Sequence, residues 1–164
     1  MGSNSTTERR APSRRRFDSL EQEAYLSLWR TYDRLKILEE ELFAEYELTA
    51  QQYNVLRLLR AAREPLPTLA LADRLISRAP DITRMLDKLE QRGLISRTRS
   101  PADRRAVLVS ITAAGRWLLD QLAEPLRQCH RQQLGHLRPE QLRQLIDLLR
   151  LVRSPHEPDE SHWK

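Results

Sequence analysis

The sequence predicts a mainly α-helical fold that carries one small β-hairpin. Three observations point there. Apolar residues recur at spacings of three and four over most of the chain. That rhythm breaks once, around residues 94–111, where short runs rich in Val, Leu and Ile flank the turn-forming Ser100-Pro101-Ala102-Asp103. Capping and stop residues, among them Thr49, Gly93, Thr112 and Gly135, stand where one helical pattern yields to the next. At 164 residues, 40% hydrophobic and 31% charged, the chain can bury the core of one domain with modest extensions. No uncharged apolar stretch approaches the roughly 18 residues of a membrane-spanning helix. No apolar segment follows the N-terminal arginines as a secretory leader requires. The single cysteine, Cys129, suits a reducing compartment. A cytoplasmic protein with no membrane partner is expected.

Taken in order, residues 1–16 are Ser, Thr, Arg and Pro with almost no apolar content, which predicts a disordered basic arm. Residues 17–47 form the first helix, on Tyr25, Leu28, Trp29, Tyr32, Leu35, Leu42 and Tyr46. Thr49 reads as an N-cap, and Gln52 completes a capping box for a second helix holding Tyr53, Leu56 and Leu59. Pro65 and Pro67 close it, since neither can donate a backbone hydrogen bond. Thr68 to Leu75 is a short element, apolar on one side. Pro80 suits a first helical turn, and Ile82, Met85, Leu86 and Leu89 form the stripe of a helix stopped by Gly93. The hairpin follows. Thr112 restarts helix to about Leu134, through Trp117, Leu118, Leu122, Leu126 and Cys129. Gly135 and Pro139 separate this from a last helix with Leu142, Leu145, Ile146, Leu149 and Val152, and residues 154–164 read as a disordered tail.

The order helix, short helix, helix, hairpin describes a winged helix-turn-helix over residues 48–111. In that architecture the last helix of the pair enters the major groove of DNA and the hairpin tip reaches the neighbouring backbone. Charge agrees with this. Residues 71–105 hold nine basic and five acidic side chains, whereas residues 17–64 hold six and ten. A basic segment of this kind suits a polyanion, or a solvated basic face. Arg84 and Lys88 lie off the apolar stripe, with Thr83 beside Arg84. Arginine can grip guanine O6 and N7 with both arms of its fork, and threonine can touch a thymine methyl or a phosphate. Arg104 and Arg105 follow a turn that exposes them, and Asp103 could brace one of them. Arg97 and Arg99 fit a solvated strand as well as a phosphate contact.

These residues also carry a family likeness. The segments Leu71-Ala72-Asp73-Arg74-Leu75, Ile82-Thr83-Arg84-Met85-Leu86-Asp87-Lys88-Leu89-Glu90-Gln91-Arg92-Gly93-Leu94-Ile95, Asp103-Arg104-Arg105 and Thr112-Ala113-Ala114-Gly115 resemble the MarR family of bacterial transcription regulators. The likeness spans about Leu20 to Val152. It implies a homodimer that binds a palindromic operator in double-stranded DNA and is often released by a small, frequently aromatic, effector. It also implies that the first helix and the helices of residues 112–153 interlock as a dimerisation region. By position, the recognition helix would run from about Ala79 to Arg92 and the wing from Arg97 to Arg105. The DNA-binding set is then Arg78, Pro80, Asp81, Thr83, Arg84, Lys88, Arg97, Arg99, Asp103, Arg104 and Arg105. The family's usual Asp at the start of the wing is Ser100 here. The Ser that often caps the recognition helix aligns with Arg78, one position after Ser77.

Other readings of the same residues weigh less. Trp29, Tyr32 and Tyr53 are the candidate effector contacts, although aromatic residues at helical spacing also serve as core or interface. Cys129 sits among apolar neighbours like an inert core residue; peroxide-sensing relatives use a cysteine in the first helix, where this chain has none. His130 and His136 do not share a helical face, so with Cys129 they supply no metal site, and no cofactor is expected. There is no Gly-rich phosphate loop and no nucleophile motif, which argues against an enzyme. The alternative function is a winged-helix protein-interaction module without an operator, favoured by the acidic Asp81 and Asp87.

Overall fold

The computed structural model describes residues 17–76, 81–103, 105–159 and 161. The basic arm, Ser77, Arg78, Pro80 and Arg104 lie outside these residues. The elements are α1 (Leu20–Glu45), α2 (Ala50–Ala61), β1 (Leu66–Pro67), α3 (Thr68–Asp73), α4 (Ile82–Gln91), β2 (Ile95–Arg99), β3 (Val107–Ile111), α5 (Ala113–Leu134) and α6 (Pro139–Arg153), with a 3₁₀ turn at Ser154–His156. None of the described helices is long and apolar enough to cross a membrane.

The chain divides into two compact units at Leu35, within α1. In the first unit, the Ser19 hydroxyl accepts the Gln22 amide and so caps the start of α1. Its apolar side chains, Leu20, Tyr25, Leu28 and Trp29, are exposed, with the Tyr25 and Trp29 ring centroids 6.3 Å apart.

The second unit holds the core. Val55, Leu56, Leu71, Leu86, Leu89, Val109, Leu119 and Leu122 are buried together, so α2, α3, α4, β3 and α5 share one apolar centre. The capping box at α2 forms as the sequence predicts: Gln52 N donates to Thr49 Oγ1 at 3.2 Å, and Thr49 N to Gln52 Oε1 at 2.9 Å. The hairpin pairs Ile95 with Ile111, Arg97 with Val109 and Arg99 with Val107. A third strand, β1, extends the sheet in the order β1-β3-β2, opposing Leu66 to Val109. Its Pro67 cannot donate to a ladder and so belongs at a sheet edge.

The motif Thr112 to Gly115 joins hairpin to α5. The Thr112 hydroxyl accepts the Gly115 amide at 3.1 Å and donates to the Gly93 carbonyl at 2.6 Å, while Thr112 N donates to Leu94 O at 3.1 Å. One residue thus caps α5 and ties it to the turn after α4. At the C-terminal end the outcome differs from the expected disordered tail: that segment begins with a 3₁₀ turn. Pro125 lies inside α5, where it forgoes one helical hydrogen bond.

Candidate nucleic-acid interface

Helix α4 presents two unlike faces. Leu86 and Leu89 are buried, with Ile82 and Met85 packed against the core beside them. Thr83, Arg84 and Lys88 are exposed on the remaining surface. The apolar stripe therefore orients the helix, and the orientation dictates which side chains remain for a partner.

Among the described residues the helix starts at Ile82; the expected start near Ala79 lies outside them. Asp81 is its N-cap, accepting the Arg84 amide at 3.1 Å. A carboxylate there satisfies an orphan donor and faces the positive end of the helix dipole; the alternative cap, Ser77, lies outside the described residues. The exposed Asp81 thus has a local task. Gly93, at φ +68°, closes the far end with Gly93 N donating to Glu90 O and Leu94 N to Leu89 O.

The hairpin sorts its residues along one face. Ile95 is buried in the core, Arg97 is half-buried against α4, and Arg99 is exposed toward the tip. Arg97 is fully engaged: Nη2 lies 2.6 Å from both Asp87 Oδ1 and Glu90 Oε2, Nε donates to Glu90 Oε2 at 2.9 Å, and its backbone N–H donates to Glu90 Oε1 at 3.1 Å. The Arg97 hydrogen bonds hold the Glu90 carboxyl below its ordinary value, and those of Glu90 push Arg97 up. Arg97 was a candidate DNA contact on sequence; in the structure it joins the wing to α4. Of its partners, Glu90 was not singled out from the sequence, and Asp87 was read there only as support for an interaction module. Their spacing on one helix face was the available signal, but only the folded hairpin shows what they meet.

At the wing tip Asp103 organises backbone. Its carboxylate accepts the Arg105 amide at 2.9 Å, its carbonyl accepts Ala106 N at 2.9 Å, and its own N–H donates to Ser100 Oγ at 3.3 Å. The expected brace on an arginine side chain is, for Arg105, a bond to its main chain instead. Ser100, in the place where the family usually has Asp, serves the same turn. Arg105 is left exposed. Among the described residues, Arg84, Lys88, Arg99 and Arg105 form no salt bridge, in contrast to Arg97. Arg78, Pro80 and Arg104 fall outside the described residues.

The aromatic candidates divide between the two units. Trp29 and Tyr32 are exposed on α1 in the first. Tyr53 on α2, in the second, stacks on the buried Phe43 with centroids 4.8 Å apart, and burial pushes its hydroxyl pKa up. Cys129 is buried, and burial raises its thiol pKa above the ordinary value, with Glu39 adding to the shift.

Comparison with known proteins agrees with this geometry. The model of the MarR family matches residues 48–107. A MarR transcription factor from Planctomyces limnophilus has 60% sequence identity, with 83% of this chain and 99% of that one covered and a TM-score of 0.66. A mutant MarR of Escherichia coli complexed with operator DNA has 26% identity, 82% and 99% coverage and a TM-score of 0.73. BpsR of Bordetella bronchiseptica, whose DNA binding is regulated by 6-hydroxynicotinic acid, has 26% identity, 79% and 98% coverage and a TM-score of 0.71. The chain spans about half the length of the curated regulators it matches: 44% of YdgJ from Bacillus subtilis and 53% of HosA from Escherichia coli, over 73 residues each. With a winged helix-turn-helix in place and the likeness to the Planctomyces protein extending over nearly all of that chain, this protein belongs to the MarR family of transcription regulators.

Proposed function

We propose that the chain is a homodimeric, sequence-specific DNA-binding regulator that represses its own or neighbouring genes and is released from a palindromic operator by a small aromatic effector. One observation carries the reading: the exposed Arg84, Lys88, Arg99 and Arg105 form no salt bridge among the described residues, while Asp81, Asp87 and Glu90 beside them have internal partners. In this reading α4 enters the major groove. Arg84 reads a guanine through O6 and N7, Thr83 meets a thymine methyl or a phosphate, and Lys88 neutralises a phosphate. Arg99 and Arg105 reach the backbone or minor groove beside it; Arg104 is assigned from its place after the wing turn and Arg78 and Pro80 from family position, all three outside the described residues.

A dimer is needed because two recognition helices about 34–36 Å apart read successive major grooves on one face of the duplex. Exposed apolar side chains on α1 and α6 support self-association. Release then follows from linkage: an effector that prefers a dimer with misplaced helices lowers DNA affinity by its differential affinity and no more. Trp29, Tyr32 and Tyr53 are the proposed contacts, and a regulated relative such as BpsR supports an aromatic ligand.

The interaction-module reading rested on Asp81 and Asp87 repelling phosphates. The first caps α4 and the second binds Arg97, so neither needs a protein partner to explain it.

Fluorescence anisotropy on DNA upstream of its own gene, against a scrambled competitor at two salt concentrations, tests the proposal. Tight binding that survives the competitor and weakens with salt is expected. Arg84→Ala should lose discrimination at one base pair by about 1–3 kcal/mol. An equal loss on every sequence would make Arg84 a phosphate contact. Binding to neither duplex by a folded dimer would favour the interaction module.

A further inference from the structure

Arg92, the residue that ends α4, makes contacts that neither the recognition surface nor the wing accounts for. Its Nη1 donates to the Glu47 carbonyl at 2.5 Å and its Nη2 to the Tyr46 carbonyl at 3.1 Å, with the Glu47 carboxylate 3.9 Å away. These carbonyls lie just past the end of α1. The last turn of α1 holds no basic residue, so its own side chains bring no cation to the negative end of the helix dipole. Arg92 brings that charge from another element. Its planar fork spans two successive carbonyls, which a lysine ammonium cannot do with fixed geometry.

Both ends of the contact are firmly held. On one side, the backbone N–H of Arg92 donates to Lys88 O, and Gly93 and Leu94 complete the α4 terminus through Glu90 and Leu89. On the other, Glu47 takes a left-handed φ of +53°, unusual for a side chain with a Cβ, and Leu48 N donates back to Phe43 O. Phe43 and Leu48 are buried in the core. A residue strained into that conformation persists where its surroundings over-determine it.

We infer that Arg92 is a positioning residue for DNA recognition, a pin that fixes the α4 terminus on the end of α1 and so sets the angle at which α4 is presented. The inference rests on the regulator reading above. Arg84 stands about 12 Å along the helix from Arg92 at 1.5 Å per residue, so a small tilt at the pin displaces the reading side chain. Bidentate base contacts tolerate little displacement, whereas phosphate contacts made by flexible side chains tolerate more. Movement of the end of α1 reaches the recognition helix through the same two hydrogen bonds.

The test starts from a duplex enriched out of a random library by the full-length protein. Arg92→Met keeps the stem and removes the fork; Arg92→Lys keeps the charge. Arg92→Met should bind the enriched duplex about tenfold more weakly, within the range of ordinary coupling between sites. Its affinity for scrambled DNA and its salt slope should match wild type, and Arg92→Lys should fall between the two. Wild-type affinity in both variants, with a lower melting temperature, would reduce Arg92 to a helix cap and overturn the proposal. A salt slope reduced by about one would make it a phosphate contact and overturn it equally. If Arg92→Met does not fold, Arg92→Lys decides alone, and wild-type affinity there overturns the pin. Failure of the wild-type protein to enrich any duplex would remove the regulator reading itself, a result distinct from all of these.

Discussion

Arg97 and Arg99 point to the same face of β2, yet their charges have different uses. Arg97 is committed to Glu90 and Asp87, and Arg99 is exposed with no salt bridge among the described residues. Arg99→Ala should therefore lower the salt slope of DNA binding by about one, leaving stability within roughly 0.5 kcal/mol of wild type. Arg97→Ala should do the reverse, lowering the melting temperature and the affinity with the slope unchanged, because the wing loses its attachment to α4. Parallel anisotropy and thermal melts of the two variants check this; a slope change in Arg97→Ala would return that residue to the DNA contacts. The same clamp predicts a pH dependence. Hydrogen bonds from Arg97 lower the Glu90 pKa, so its contribution is present above the ordinary glutamate value and is lost as pH falls through the folded one. Melting temperatures of wild type and Glu90→Gln should differ near neutral pH and converge as pH falls below the ordinary glutamate range. A constant gap across that range would mean the Glu90 charge is not what stabilises the contact.

At the scale of elements, the start of α5 is as constrained as the wing. A Cβ added at Gly115 would lie 2.3 Å from the Leu94 carbonyl oxygen and 2.8 Å from Ile111 Cγ1. Alanine favours helix over glycine by about 1 kcal/mol, but here it forces two backbones apart. Gly115→Ala should destabilise by about 1–3 kcal/mol as an overpacked site does, read by denaturant unfolding at unchanged m-value. Stabilisation would mean α5 can slide outward freely. The caps at Thr49 and Thr112 were legible in the sequence because each bond spans three residues and needs no distant partner. The start of α4 was not, since Ser77, Pro80 and Asp81 all suit a helix start, and the cap that forms is the one whose carboxylate meets the Arg84 amide. β1 was equally hidden: a strand of two residues exists only by pairing with β3 across the fold. In the candidate site, helix and hairpin could be placed from pattern, but the separation of Arg97 from Arg84, Lys88, Arg99 and Arg105 depends on Glu90, which only folding brings to the wing.

For the whole molecule, α6 poses the question that one chain leaves open. The helix has the periodicity of a buried element, yet none of its residues is buried, and Ile146, Leu148, Leu151 and Val152 are exposed by 54–71%. An apolar row of this kind on a regulator calls for a second copy, which the proposed homodimer supplies. Sedimentation of the full chain should give twice the monomer mass. Leu151→Glu places a carboxylate in that row without touching α4 or the wing, so it should shift the protein toward monomer while leaving the winged domain folded. Operator affinity should then fall by about a hundredfold or more, because each recognition helix loses the effective concentration its linked partner provides. Binding to scrambled DNA, which needs fewer simultaneous contacts, should fall less. A Leu151→Glu protein that remains dimeric with full affinity would place the interface away from α6 and leave the exposed face of α1 to carry it.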